Sequence, residues 1–416
     1  MKMPWLQWVV GGVTLWLSCS TIWYQKESAQ KDLIELASKD LWDGSTFFYD
    51  KSRRYKTKMF AMSRPSGELD PKVCLGSQLS VDRMEEVFTM IQAWDGPTSI
   101  SLFGPGLDFH LAVTFLDYLR KCHHSVLDGK SFHLVFPVDQ PMQRIPDLTE
   151  NLSSCDLSPK NVSDKLLSLR SPAMWKWRQN YSYPFNFMRN AAKQGCHSEF
   201  ILMLDIDMVP KRNLYTEMTK FLQDPFPRTC LHCAFVLPLF EISSKVKIQD
   251  YPDTKEQLQS YFNKGHLRPF YFKVFPTAQR GTRYLKWLSV TNSSSIAYKL
   301  DSYEFMYEPV FVVRSQYPDY PEMFYGYDMD RNSQMYEMVM AKFKFYVLNQ
   351  AYAIHPGFKL AGTFPQFRLE QRHLNNLRFR DYARILSARY GRDPCRMTQA
   401  LPIVTSPSKV NCLIDI

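Results

Sequence analysis

The chain has 416 residues, of which 45% are hydrophobic and 15% aromatic. This composition excludes an intrinsically disordered protein, and the length suffices for one large domain or two ordinary ones. The formal net charge of +10 favours an acidic partner, such as nucleic acid, a membrane surface, or a phosphate-bearing or acidic substrate. The densest basic run, KSRRYKTK at residues 51–58, predicts a solvated segment.

Residues 4–24 form an uncharged run with tryptophan near both ends. As a helix, such a run spans about 30 Å, the thickness of a bilayer core. We therefore predict a transmembrane signal anchor at 4–24, preceded by a cytoplasmic tail at 1–3. A signal peptide cleaved at Ser18-Cys19-Ser20 is the alternative. Both interpretations place the rest of the chain in the secretory pathway and argue against a nucleic-acid partner.

Beyond the anchor, residues 25–70 are polar and predict a stem, and residues 71–395 carry the pattern of an α/β domain. Strand patterns (KVCLGSQL, TSISLFGPG, SFHLVFPV) alternate with helix patterns (DRMEEVFTMIQAW, HLAVTFLDYLRKC). This order is typical of a parallel sheet with crossover helices. Residues 139–182, rich in Pro and Ser, predict an inserted loop, and residues 396–416 a C-terminal tail.

The second half of the domain is aromatic and predicts mainly strands. FILML is too apolar for a half-exposed strand, so it predicts a central one, after the helix PFNFMRNAAKQG. CAFVLPLFEI predicts the next strand, and YLKWLSV, YEPVFVVR and FKFYVLNQAYAIH predict further strands. A long basic helix over Phe367 to Tyr390 closes the domain.

Cysteines and sequons agree with a lumenal chain. The nine cysteines suit an oxidising compartment, and CLHC favours a structural disulfide over a zinc or redox site because no second CxxC is present. Asn-X-Ser sequons mark candidate glycosylation sites at Asn151, Asn161, Asn180 and Asn292.

The strand FILML runs directly into Asp205 and Asp207. Ligands of open parallel sheets bind at the carboxyl ends of strands, and alternation turns both side chains the same way. Two such carboxylates favour a divalent cation, although a strand-end pair without metal is the simpler alternative. Haloacid-dehalogenase-like phosphatases and nucleotide-sugar glycosyltransferases both use this motif. The phosphatases usually begin with it, whereas here a nucleotide-binding half precedes it, which favours the second class.

Several motifs in order resemble glycosyltransferase family 49, over roughly residues 71–395. They are YPFNFMRNAA, FILMLDIDMVP, FVLPLFEI, YEPVFVVR and FYVLNQAYAIHPGFK. The resemblance implies a GT-A-type nucleotide-diphospho-sugar transferase fold with a mixed central sheet. It also implies a type II Golgi membrane protein that uses a UDP-sugar and Mn²⁺ and inverts the anomeric carbon.

The resemblance also assigns candidate ligands of the metal and the diphosphate. Asp205 and Asp207 match the family's metal-binding pair, and His355 matches a third protein ligand. Lys359 would reach a diphosphate oxygen. The simpler alternatives are a core or surface histidine at 355 and a solvated lysine at 359.

Substrate contacts follow from the same motifs. Arg189 and Asn190 match a family pair, and Arg189 would bind the donor sugar or Asp205 through its planar guanidinium. Glu308 in YEPV is a further substrate-binding candidate, and Glu241 in LFEI is another carboxylate of a matched motif.

An inverting transfer needs a general base for the acceptor hydroxyl. The family's segment for acceptor handling reads roughly Gly-aromatic-Gly-aromatic-Asn, whereas this chain has GYDMD, with Asp328 in place of Gly and Asp330 in place of Asn. We predict Asp330 as the base, with Asp328 next. Trp287 and Tyr325 could stack on a sugar, but core positions are the simpler interpretation.

The resemblance implies a transferase that moves glucuronate from UDP-glucuronate, in β-1,4 linkage, to a glycan on a glycoprotein. UDP-N-acetylglucosamine is the alternative donor. A catalytically degenerate, glycan-binding family member is the alternative function, and a homo-oligomer stays open.

Overall fold

The computed structural model describes residues 47–63, 72–143, 155–360, 362, 366–397 and 412–416. The predicted tail and anchor (1–24) and the sequon at Asn151 lie outside these residues. Within the described ranges, no helix is long and apolar enough to cross a membrane.

The strands of the described residues are numbered in chain order. They are β1 (Phe47–Tyr49), β2 (Tyr55–Ser63), β3 (Val73–Ser80), β4 (Thr98–Phe103), β5 (Lys130–Pro137), β6 (Phe200–Met203), β7 (Val209–Pro210), β8 (Cys233–Leu237), β9 (Leu239–Ile242), β10 (Leu267–Pro269), β11 (Ile296–Lys299), β12 (Ser302–Glu304), β13 (Val310–Arg314), β14 (Lys344–Leu348), β15 (Ala353–Pro356) and β16 (Leu413–Asp415).

The α-helices are numbered in the same way. They are α1 (Met84–Ala93), α2 (Leu107–Cys122), α3 (Pro159–Leu167), α4 (Pro172–Asn180), α5 (Phe185–Gln194), α6 (Leu214–Leu222), α7 (Pro225–Thr229), α8 (Lys255–Asn263), α9 (Thr277–Arg280), α10 (Tyr284–Ser289), α11 (Asp330–Met340) and α12 (Gln366–Tyr390).

A mixed sheet forms the centre of the fold, in the order β1-β2-β5-β4-β3-β6-β13-β8-β14-β11. Strands β3 to β6 pair in parallel, as the alternating pattern predicts, while β13 runs antiparallel to both β6 and β8. All four residues of β6 are buried between β3 and β13. The prediction of a central FILML strand is therefore confirmed. The sheet is mixed because β13 reverses its direction, and because β2 and β11 run antiparallel to β5 and β14.

A smaller sheet, in the order β10-β9-β15-β7, carries the second half of the site. The predicted single strand CAFVLPLFEI is instead two strands, because Pro238 lacks an N–H and separates β8 in the large sheet from β9 in the small one. Strand β15 pairs antiparallel with β7, with Ile354 opposite Val209. This register carries His355 back towards Asp207, two residues before Val209.

Two predictions of local structure are wrong, and a third, the solvated segment at 51–58, holds only for its exposed residues 51–54. The predicted loop at 139–182 contains α3 and α4, each of which begins with Ser followed by Pro. The Ser158 and Ser171 side chains accept hydrogen bonds from the backbone N–H groups of Asn161 and Met174. A Ser cap followed by Pro at the first helical position is a helix start, so residues interpreted as loop formers begin helices instead.

YLKWLSV was predicted as a strand and forms the helix α10. Its buried residues Tyr284, Trp287 and Leu288 recur at helical spacing, which the aromatic content of the segment obscured. Residues 51–58, predicted as solvated, run into β2, where Tyr55, Thr57 and Lys58 are buried and pair with β5. Part of the predicted stem thus belongs to the central sheet.

Four disulfides use every cysteine of the described residues. Cys74–Cys196 ties β3 to the end of α5, and Cys230–Cys233 closes the CLHC turn, a pairing that the sequence left open. Cys122–Cys155 joins the end of α2 to the segment before α3. Cys395–Cys412 joins the segment after α12 to the residue before β16. This usage agrees with folding in an oxidising compartment.

Candidate active site

A cavity of about 850 Å³ lies at the carboxyl end of β6. The segment after β3, the Asp205–Met208 turn, the start of β13 and the first turns of α11 and α12 all line it. Burial alternates along the turn: Ile206 and Met208 are buried, and Asp205 and Asp207 are half-buried. All four residues line the cavity, so both acids border the same space.

Asp207 is surrounded by positive or protonatable groups. Its Oδ2 lies 3.4 Å from His355 Nε2, 3.5 Å from Lys359 Nζ and 3.4 Å from an Arg83 guanidinium nitrogen. Burial alone would raise the pKa of this carboxyl, but the His355 contact and the charges of Lys359 and Arg83 outweigh it and hold the pKa well below its usual range. We call Arg83, Asp207, His355 and Lys359 the cation-rich wall.

His355 is held in one orientation by its other ring nitrogen. Nδ1 lies 2.9 Å from the Gly357 carbonyl oxygen, which can only accept, so the proton is on Nδ1. In the neutral ring, Nε2 is then an acceptor that faces the acceptor Oδ2 of Asp207. Two acceptors in contact need a second proton or a cation between them.

Lys359 is positioned through its backbone. The buried Glu241 carboxylate accepts a hydrogen bond from the Lys359 N–H at 2.7 Å, and Arg268 donates to the Lys359 carbonyl at 2.9 Å. Arg268 and Glu241 also form an ion pair. Glu241, a carboxylate of the LFEI motif, is thus occupied in holding Lys359 rather than in facing the cavity.

Asp205 turns to a different set of partners. Its Oδ1 accepts from Arg331 at 2.8 Å and lies 3.7 Å from Arg189, the residue predicted to reach it. Among the described residues, no group of three or more His, Cys, Asp or Glu side chains is close enough to hold a metal ion. His355 and Asp207 meet, but Asp205 is engaged by arginine.

A second part of the cavity lining is rich in acids. Asp330 pairs with the buried Arg189 at 2.7 Å, and Asp328 pairs with Arg372 at 2.7 Å. Burial raises the pKa of Asp328, and burial and the nearby Asp330 raise the pKa of Glu308 to about 8. We call Glu308, Asp328 and Asp330 the acid-rich wall.

Other predicted residues lie elsewhere. Asn190 is bonded to both backbone groups of Tyr320, which fixes the segment before α11 rather than lining the cavity. Trp287 is fully buried and donates to the Leu348 carbonyl, and Tyr325 packs near Tyr55.

The three sequons of the described residues differ in context. Asn161 is exposed on α3, not in a loop, and Asn292 is exposed before β11. Asn180 is the last residue of α4. The structure does not contradict glycosylation at these positions, and all three sites remain predictions.

Sequence reasoning missed several residues of the cavity, among them Arg83, Arg331 and Tyr271. Arg83 follows β3, Arg331 follows Asp330, and Tyr271 lies in a left-handed backbone conformation after β10. Burial, followed by the charges of Glu308, Asp205 and Asp207, raises the pKa of Tyr271, which lines the same cavity. Of these three, Arg331 could have been suspected from the sequence, because it directly follows the altered GYDMD segment.

With this geometry in view, comparison with known proteins identifies the class. Residues 72–391 match a family model described as "Glycosyl-transferase for dystroglycan". The protein is a glycosyltransferase with a mixed α/β fold. It belongs to glycosyltransferase family 49, as the motifs predicted.

Several relatives agree. Human "Beta-1,4-glucuronyltransferase 1" is 31% identical over 79% of this chain and 78% of its own. The Danio rerio protein of the same name is 28% identical over 87% of this chain and 84% of its own. Mouse "Xylosyl- and glucuronyltransferase LARGE1" is 24% identical over 88% of this chain and 42% of its own.

Among solved structures, S. aureus TarS 1–349 in complex with UDP-GlcNAc has a TM-score of 0.34 and 10% identity, over 76% of this chain and 71% of that one. That score is too low to carry an inference about function.

Proposed function

We propose that this glycosyltransferase transfers glucuronate from UDP-glucuronate, in β-1,4 linkage and with inversion, to a glycan acceptor on a glycoprotein. The observation that carries the proposal is the cation-rich wall, where a half-buried aspartate is kept ionised beside a histidine and a lysine at the end of a central strand. The names of the human and zebrafish relatives support glucuronate as the sugar.

A divalent cation, Mn²⁺ by family resemblance, suits the donor set at this wall. Asp207 and His355 offer a carboxylate oxygen and a ring nitrogen that face each other as acceptors, which is an arrangement that a cation would stabilise. Asp205 would join them once Arg331 releases it. Such a cation would offset negative charge on a diphosphate leaving group.

The chain's own residues would share that work. The Lys359 ammonium is partly exposed and its backbone N–H and carbonyl are both hydrogen-bonded, so the side chain starts from a fixed point from which it can reach a diphosphate oxygen. Arg331 and Arg189 border the carboxylate of Asp205 and can orient the donor sugar or its carboxylate. In the GT-A-type arrangement that we propose, Lys359 would meet the diphosphate of the donor, and Arg331 and Arg189 would orient its sugar.

The proposal includes a setting. The lumen of the Golgi, with a type II anchor at 4–24, agrees with the four disulfides and with the sequons. The partners would be a UDP-sugar, a glycoprotein glycan and the membrane.

UDP release from a panel of UDP-sugars, with Mn²⁺ and with EDTA, tests the proposal on the purified full chain. We expect the fastest release with UDP-glucuronate and its loss in EDTA. Faster release with UDP-N-acetylglucosamine would reassign the donor. Release from no donor, together with binding to immobilised glycans, would show a binding member of the family instead.

Manganese binding can be followed independently of turnover through the electron paramagnetic resonance of free Mn²⁺. Binding that survives in Asp205→Ala and Asp207→Ala variants would remove the proposed metal site.

A further inference from the structure

Glu308 stands at a rigid position on the cavity wall. It comes two residues before β13, its N–H donates to the Ala278 carbonyl at 2.8 Å, and its carbonyl accepts from the Gln279 side chain at 3.0 Å. Its side chain is half-buried and lines the cavity. The backbone is therefore fixed while the carboxylate faces the space where substrates would bind.

The neighbouring acids are already engaged. Arg189 holds Asp330, Arg372 holds Asp328, and Arg331 holds Asp205. A carboxylate whose lone pairs accept from a guanidinium is a weak base, because the ion pair favours its charged form. Among the described residues, by contrast, no hydrogen bond or ion pair engages the Glu308 carboxylate.

Burial and the surrounding charges bring the pKa of Glu308 close to neutral pH, where a carboxylate can accept a proton and release it again. The acidic neighbours and burial favour the neutral acid, and the arginines oppose them, which leaves the pKa at about 8. A general base works best with a pKa near the working pH. The charged and titratable groups that face Glu308 come from several elements: Arg189, Tyr271, Tyr303, Asp328, Asp330 and Arg331.

We propose that Glu308, not Asp330 or Asp328, is the general base for the acceptor, an inference that rests on the proposed glycosyl transfer. As the acceptor oxygen bonds to the anomeric carbon, its O–H bond breaks and the proton passes to the Glu308 carboxylate. The bond from the anomeric carbon to the phosphate oxygen breaks, and its electron pair leaves with UDP. Asp330 then holds Arg189 in place.

UDP release from UDP-glucuronate, with water and with a set of p-nitrophenyl pyranosides as acceptors, measures this step. We expect Glu308→Gln to lower kcat by about 100-fold or more while the dissociation constant for UDP stays within a factor of two. Glu304→Gln, four residues away in an ion pair with Arg280, is the matched control and should keep wild-type release. Glu308→Asp is a second variant that retains the carboxylate and should keep part of the activity.

Two further readouts separate a base from a structural role. Wild-type kcat should rise with pH up to about 8, where Glu308 ionises, whereas the Glu308→Gln variant should lack this limb. Sodium formate should restore release by Glu308→Ala, because a small carboxylate can occupy the space and accept the proton.

The failures are distinguishable. A wild-type chain that releases UDP from no donor overturns the proposed function, and the inference with it. A wild-type chain that turns over while Glu308→Gln keeps kcat within tenfold overturns only the inference. A large loss of kcat and of the pH limb in Asp330→Asn, with the limb retained in Glu308→Gln, would return the role to Asp330.

Discussion

The two walls of the cavity treat carboxylates in opposite ways. On the cation-rich wall, His355, Lys359 and Arg83 hold the Asp207 carboxyl pKa far below its usual range, so the acid stays charged. On the acid-rich wall, burial and Asp330 raise the Glu308 pKa to about 8, so that acid can exchange a proton near neutral pH. Environments that push two carboxyl pKa values apart mark separate roles, one in binding charge and one in moving a proton.

The largest effect is expected from a substitution in the cation-rich wall. Asp207→Asn removes the charge that His355, Lys359 and Arg83 surround, so that Lys359 loses its counter-charge and Arg83 keeps only Glu86. We expect UDP release to fall by about 10²–10³-fold and Mn²⁺ binding to weaken in the same variant. Electron paramagnetic resonance of free Mn²⁺ and a UDP assay check the two effects.

Asp250→Asn, an exposed acid away from the cavity, is the control and should change neither. Mn²⁺ binding of wild-type strength in Asp207→Asn would separate the metal from this wall.

The second effect concerns the link between the walls. Arg189 is buried, pairs with Asp330 at 2.7 Å and lies 3.7 Å from Asp205. Arg189→Met would leave Asp330 without its cation, while Asp205 keeps Arg331, so we expect a loss of about 3–5 kcal/mol in the free energy of unfolding, measured in urea. Adding Asp330→Asn should recover part of it, since the second change removes the unpaired charge.

Arg384→Met, which breaks the exposed pair with Asp381, should cost less than about 1 kcal/mol. Equal losses for the two arginines would mean that burial of the pair at Arg189 contributes nothing.

The cation-rich wall was largely predictable and the acid-rich wall was not. Asp205 and Asp207 follow an apolar run that can only be a buried strand, and HPGFK ends another strand, so both could be placed at a sheet edge. Their meeting depends on the β7–β15 register, which pairs residues almost 150 positions apart and has no local signal. The family resemblance supplied that link.

Glu308 shows why the acid-rich wall could not be predicted from the sequence. Its role depends on having no guanidinium partner while its neighbours each have one, and pairings among distant side chains are not encoded in any short motif. Asp328 and Asp330 were the visible departure from the family pattern, so they drew the prediction of the base. Helices α3, α4 and α10 were missed for a related reason: Ser-Pro starts and aromatic residues were counted as loop and strand formers before their spacing was considered.

A smaller effect tests how the cation-rich wall is held. Glu241→Gln keeps the shape of the side chain but removes the charge that pairs with Arg268 and fixes the Lys359 N–H. Hydrogen bonds to charged groups contribute about 1.5–3 kcal/mol, so we expect the donor KM to rise about tenfold while Mn²⁺ binding is kept. Glu256→Gln, an exposed glutamate on α8, is the control. A loss of Mn²⁺ binding in Glu241→Gln would mean that the wall moves as a whole.

The smallest effect contrasts the walls through pH. The Glu308 pKa rises from about 4.5 in an unfolded chain to about 8 in the fold, so the folded state binds the proton more tightly and the wild type loses stability as pH rises through this window. Glu308→Gln lacks this titration, so its Tm relative to wild type should increase by a few degrees between pH 5 and pH 8.5 and then level off.

The lowered pKa of Asp207 has the opposite sign: its stabilisation is complete above the unfolded pKa of about 3.8 and is lost only as pH falls below that value. The Tm difference between Asp207→Asn and wild type should therefore stay constant from pH 5 to pH 8.5. Scanning calorimetry of both variants across this range measures the contrast, and parallel pH dependences would mean that the two walls do not differ electrostatically.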